Sequence, residues 1–189
     1  PASEPSPTKL QEKAEIAESS ALEVGGVSQV SGASASYGKY SVFMAASNGF
    51  TANYDRSSNS VSCVAIAGEG LNMERDYDAD TRVYQSDLRP SDEIGRTAGL
   101  RAVERLNPRR PATGSYPVIY DERISSGLVG HFLSAINGAA ITRGSSWLKD
   151  SLGKQVLPST CKLVENPHRL RAGASVSYTH LRAHETDSY

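Results

Sequence analysis

The feature that most constrains this chain is a change of period at Gly25-Gly26. Before it, behind a Pro- and Ser-rich opening PASEPSPT, the residues Leu10, Ala14, Ala17, Ala21 and Leu22 recur at helical spacing. A helix is expected over about 7–22, stopped by the two glycines. From Val27 onward that spacing gives way to short β-rich runs at about 28–36, 40–46, 50–55, 60–67 and 73–84. They are separated by turn clusters at Tyr37-Gly38-Lys39, Ser47-Asn48-Gly49 and Arg56 to Asn59. A chain patterned in this way closes most economically as an antiparallel meander. Asn48-Gly49 supports a tight hairpin, since both residues tolerate positive φ. In the fourth run Val61, Cys63 and Ala65 alternate with Ser62, Val64 and Ile66. Both faces are largely apolar, so an inner strand is expected.

Helical spacing returns at Ser91, which can cap a helix whose first turn holds Asp92 and Glu93 and whose stripe is Ile94, Ala98, Val103 and Leu106. Asn107-Pro108 should end it. A Pro-rich connection over 108–117 then leads to a short strand at Val118 to Tyr120 and a strongly apolar helix. In that helix Ile124, Leu128, Phe132 and Ile136 fall at fourfold spacing, joined by Val129, Leu133 and Ala140, and the pattern predicts burial. The fold class expected is α+β: an antiparallel β meander flanked by helices, followed by a strand and buried helix that begin a second domain.

Net charge is near zero, with 20 Lys plus Arg against 21 Asp plus Glu, so no broad attraction to nucleic acid is available. No run approaches the roughly 20 apolar residues of a membrane span. Cys63 and Cys161 form no CxxC pair, which argues against a zinc ribbon or a thioredoxin-like site and fits a reducing cytoplasm. The chain begins at Pro1, and the tail from Val176 to Thr186, VSYTHLRAHET, reverse-translates to a string resembling a transposon-based sequencing adapter. The expectation is therefore a natural frame ending near Ser175, a non-native tail over 176–189, and truncation at both ends. His180, His184 and Glu185, which mimic a metal site by their spacing, follow from that tail and match no HExxH order.

Four other segments carry residues that chemistry could use. On the apolar helix His131 stands alone. A zinc hydrolase needs a second imidazole on the same helix and a Glu beside the first to take the proton of metal-bound water. Phe132 occupies the Glu position, and the second ligand would fall at Ala135 or Ile136, neither of which can coordinate metal. Asp76, Asp78 and Asp80 resemble the start of a calcium loop. Thr81 replaces the needed Gly, however, and period two makes them one polar face of a strand, with Tyr77 and Ala79 opposite. Ala67-Gly68-Glu69-Gly70 reads as a loop between strands, without the third Gly of a phosphate turn. Arg105, Arg109 and Arg110 read as a solvated helix terminus.

Together, GEGLNMERDYDADTR, EIGRTAGLRAVERLNPRR, LVGHFLSAINGAAITRGSSWLKDSLGKQV and ENPHRLR resemble the TldD/PmbA family over about Leu22 to Gly173. The resemblance implies a cytosolic protein. It divides the chain into a linker and the end of an N-terminal α/β domain (1–26), a strand-rich middle domain (27–112) and the start of a metalloprotease-like domain (113–175). The family's catalytic TldD type carries HExxxH on the helix corresponding to Leu128 to Ala140. Here His131 is kept as a vestige, which is the pattern of the PmbA type, also called TldE. The implied role is a non-catalytic subunit with no cofactor and no catalytic residue of its own. It would pair with a TldD-like subunit that holds zinc and cuts unfolded peptides. The alternative is a non-proteolytic interaction protein that modulates a toxin–antitoxin system or DNA gyrase. A self-sufficient metalloenzyme would need its ligands elsewhere.

Overall fold

The structure, a computed structural model, describes residues 4–164 and 171. It divides into two compact units, one formed by Pro1–Arg110 with Asn166–Tyr189 and the other by Pro111–Glu165. The α+β class and the antiparallel meander hold. In the first unit a three-stranded sheet in the order β1-β2-β3 carries two helices, α1 and α2, on one face.

Helix α1 runs Pro7–Leu22, the range its spacing predicts. Ser6 accepts a hydrogen bond from the Lys9 amide, Pro7 supplies a preset φ at the first turn, and Gly26, at φ 97, takes the chain out of helical geometry. The five predicted runs are three strands: β1 Val27–Ala45, β2 Thr51–Ala67 and β3 Glu74–Arg82. The turns expected at 37–39 and 56–59 do not form. Those residues pair with each other instead, Gly38 opposite Ser58 and Lys39 opposite Ser57. The 46–50 hairpin is present, with Gly49 at φ 88 and its amide donating to the Ala46 carbonyl at 3.0 Å.

Strand β2 is the inner strand. Val61, Cys63, Ala65 and Ala67 point into a core shared with Ala17 and Ala21 of α1 and with Ile94, Ala98 and Ala102 of helix α2 (Ser91–Glu104). The opposite face is closed across strands by hydroxyls, Ser34 to Ser62 at 2.9 Å and Thr81 to Ser60 at 3.0 Å. Helices α1 and α2 approach closely because Gly95 lacks a side chain. A Cβ there would sit 1.9 Å from the Ala17 carbonyl oxygen. Ser91 is not the cap of α2: it is the first helical residue, buried, with Pro90 in the cap position. Past the end of α2, Asn107 takes a left-handed φ of 55 ahead of Pro108.

The second unit contains α3, Glu122–Ile136, and the short α4, Gly138–Thr142. The predicted strand at 118–120 is irregular chain, because no strand among the described residues of this unit offers it a ladder. Asp121 caps α3 by accepting the Arg123 amide at 2.9 Å, and Asn137 ends it while capping α4 through the Ala139 amide at 3.0 Å. No helix among the described residues is long and apolar enough to cross a membrane.

Candidate functional site

On α3 the hydrolytic positions can be inspected directly. His131 is exposed, Phe132 half-buried, Ala135 buried and Ile136 exposed. The i+4 spacing places His131 and Ala135 on one face, where a second imidazole would stand if the helix were to grip a metal. A methyl group stands there instead, packed where Ser146 donates its hydroxyl to the Ala135 carbonyl. Zinc takes four donors, three of them from protein even at a catalytic site. Among the described residues no group of three His, Cys, Asp or Glu side chains is placed to hold a metal ion, so the residues around His131 do not fit zinc.

The helix also departs from its expected burial. Ile124, Leu128, Val129, Leu133 and Ile136 are all exposed, and Ala135 is the one buried residue of α3. Large apolar side chains elsewhere in the unit, Trp147 and Leu152 among them, are themselves exposed and do not cover them. The small core there is Ala135, Leu148 and the Ser146 hydroxyl, which also accepts the Leu148 amide at 2.9 Å.

A second cluster was visible in sequence only by half. Asp76, Asp78 and Asp80 do share one face of β3, as period two requires, but that face is turned toward the helices and all three are buried. Burying three carboxylates is tolerable only with partners, and α2 together with the segment before it supplies them. Arg101 reaches Asp78 at 2.6 Å, Arg89 reaches the other oxygen of Asp78 at 2.6 Å, and Arg105 reaches Asp76 at 2.6 Å. Asp80 takes the Arg89 amide at 2.8 Å and pairs with Arg82. Burial works to lower the pKa of Arg89, but the Asp78 and Glu93 carboxylates outweigh it and raise the pKa above its ordinary value. Arg105 is thus an ion-pair partner and not a freely solvated terminus, while Arg109 and Arg110 are exposed. The cluster satisfies itself, leaving no open coordination position for calcium, and it acts as a structural lock between β3 and α2.

A cleft of about 340 Å³ lies where β1 and β2 leave the helices, lined among others by Tyr37, Lys39, Asp55 and Tyr84. Beside it Arg171 stacks over Tyr84 at 4.5 Å and pairs with Asp87 at 3.0 Å. The glycines Gly68 (φ 83) and Gly70 (φ 58) make the β2–β3 turn. A Cβ on Gly68 would meet the Asn72 carbonyl oxygen at 2.5 Å. His180, His184 and Glu185 lie outside the described residues.

Residues 1–106 match the model of the PmbA/TldA metallopeptidase central domain, and residues 113–180 match that of the C-terminal domain. The chain belongs to the PmbA/TldD family. It is 38% identical over 132 residues to Metalloprotease PmbA of Escherichia coli O157:H7 and 36% identical over 132 residues to the PmbA homologue of Haemophilus influenzae. Each match covers 70% of this chain and 29% of the relative, so the chain spans less than a third of those proteins. Among solved structures, a Bacteroides thetaiotaomicron protein described as a candidate modulator of DNA gyrase is similar at TM-score 0.72 and 27% identity. That match covers 79% of this chain and 34% of the other. A Thermotoga maritima protein at TM-score 0.72 and 22% identity, covering 80% of this chain and 35% of the other, shares the fold. Three of the PmbA/TldD motifs quoted from the sequence map onto β3, α2 and α3, the elements that carry the ion-pair lock and the His131 helix, while the fourth, ENPHRLR, lies outside the described residues except for Arg171.

Proposed function

We propose that this chain is the non-catalytic, PmbA/TldE-like subunit of a two-subunit zinc metallopeptidase acting on unfolded peptides in the cytoplasm. The observation that carries the reading is the donor set of α3: His131 is accompanied by Phe132, Ala135 and Ile136, so neither a general base nor a second ligand is present. Zinc, the Glu base and the polarised water would belong to a companion chain with an intact HExxxH. The role left to this chain is to contribute contact surface for the companion chain and the peptide, for which the exposed apolar residues of α3 are suited.

The test is to assay cleavage of an unstructured fluorogenic peptide by the full-length protein, by a co-encoded HExxxH chain, and by the mixture. Cleavage is expected to need the HExxxH chain, to be abolished by chelator, and to be unchanged by His131→Ala in this subunit. Restoring the carboxylate alone, Phe132→Glu, is expected to give this subunit no activity. Chelator-sensitive cleavage by the full-length protein alone overturns the proposal.

A second reading is a non-proteolytic binding protein that modulates a toxin–antitoxin system or DNA gyrase, and the description of the Bacteroides neighbour favours its gyrase form. It predicts a change in gyrase supercoiling on adding the full-length protein, with no peptide cleaved by any mixture.

A further inference from the structure

Position 135 of α3 is already taken up by a structural task. The helix ends at Ile136, where Asn137 turns to ψ 125, and the Ala139 amide that would have bonded the Ala135 carbonyl is held by the Asn137 side chain at 3.0 Å. The carbonyl is thereby an orphan of the helix end. Ser146 satisfies it: its hydroxyl donates to the Ala135 oxygen and accepts the Leu148 amide at 2.9 Å. Ala135, Ser146 and Leu148, at 5%, 6% and 7% exposure, are the buried residues of the second unit among those described.

The two spacings at which a second imidazole could join His131 fail for different reasons. Four residues on, Ala135 lies on the His131 side of the helix. Its methyl group is part of this small core, however, and an imidazole there would have to expel Ser146 or Leu148. Five residues on, Ile136 is open to water and has room. At about 100° per residue it points roughly 140° away from His131. A helix brings such positions together only through a turn widened by one residue, and α3 is regular α-helix over Glu122–Ile136.

We propose that the hydrolytic site of this chain is closed by its fold as well as by its side chains: the face that would carry the second ligand is the seat of the 144–148 turn, and putting donors back does not bring metal back. This goes beyond the non-catalytic role proposed above, for which missing ligands suffice and which substitution alone could reverse. The same helix supplies the contrast. Gly127 lies four residues before His131 on the same side, is exposed, and a Cβ there would meet nothing within 4 Å. It has both the spacing and the open space, where Ala135 has the spacing alone.

The experiment titrates cobalt(II), read by its visible absorption, and zinc by competition, into the 189-residue chain. The variants are Gly127→His, Ala135→His, Phe132→Glu with Ala135→His, and Phe132→Glu with Ile136→His, the last of which spares the core at 135, 146 and 148. Gly127→His is expected to gain a metal site that His131→Ala removes. Ala135→His should bind about tenfold or more weakly than Gly127→His, because the ion must also open an overpacked core. Phe132→Glu with Ile136→His should bind no tighter than wild type. If either Phe132→Glu variant takes up stoichiometric metal through His131, or Ala135→His binds as tightly as Gly127→His, the fold does not close the site and the inference falls. The non-catalytic role of the natural chain, which carries none of these donors, would still stand.

Discussion

Helices α2 and α3 are written in the same sequence idiom, an acidic first turn followed by apolar residues at helical spacing, yet they end in opposite environments. In α2, Ile94, Ala98 and Ala102 are fully buried. In α3 the longer apolar side chains remain in contact with solvent, Leu128 at 47% exposure and Ile124 at 57%. The difference lies in the neighbours. Helix α2 has a sheet, a second helix and three buried carboxylates to dock against, with Gly95 and Gly99 letting the backbones close. Helix α3 has the short α4 and a small core of Ala135, Ser146 and Leu148. Periodicity therefore specifies which face of a helix is sticky and leaves open what covers it.

The largest effect should come from breaking the lock that fixes α2. Asp78→Ala leaves Arg89 and Arg101 without the carboxylate they share, and removing one partner of a buried pair costs about 3–5 kcal/mol. Arg89 keeps 32% of its side-chain surface in water, which puts the expectation near about 3 kcal/mol. Amide exchange of β2 measures this for the first unit alone. A loss below about 1 kcal/mol would show that the lock is solvated and that α2 is held by packing alone. Ile94→Ala comes next, at about 2–4 kcal/mol for a buried aliphatic truncated where its neighbours relax only partly. Urea unfolding followed at β2 checks it.

Much of this organisation was legible in the sequence. The limits of α1, the inner position of β2 and the 46–50 hairpin follow from Pro7, from alternation through Val61, Cys63 and Ala65, and from Gly49. The turns at 37–39 and 56–59 were misread because Gly38 and the Ser57-Ser58-Asn59 cluster look like punctuation taken singly. Across the ribbon they are ladder partners, and Ser57 and Asn59 also donate to the Val83 carbonyl at 2.8 and 2.9 Å. At the candidate site the missing groups at 132, 135 and 136 could be read directly, since ligand spacing on one helix is local. The fate of Asp76, Asp78 and Asp80 could not. The arginines of Asp76 and Asp78 lie 11 to 29 residues away, and a local rule that sends carboxylates to water fails once a distant cation arrives.

Cys63 gives a pH-dependent handle on the same core. Burial, with a smaller contribution from the Glu18 carboxylate, pushes its thiol up to about 11. An unfolded thiol ionises near about 8.5. Below that value both states hold the proton and the group adds no pH dependence. Above it the unfolded chain loses the proton first, so stability should fall as pH rises from about 8.5 to about 11 and then level off. Cys63→Ala should flatten that slope, and urea midpoints measured across the range read it out. In the native protein the thiol should also resist alkylation at neutral pH, while the exposed Cys161 reacts.

The smallest expected stability change is the one that most sharpens the contrast between the helices. Leu128→Ser on α3 removes an apolar side chain of the same class as Ile94, but from a position nearly half open to water. Stability should move by less than about 0.5 kcal/mol, as for an ordinary surface substitution. The apolar stripe it interrupts should nevertheless bind less of an environment-sensitive dye such as ANS, and in the full-length protein the same change should cost stability or assembly if another surface covers α3. A destabilisation of several kcal/mol in the isolated 189-residue chain would mean that α3 is already buried there, and the contrast with α2 would collapse.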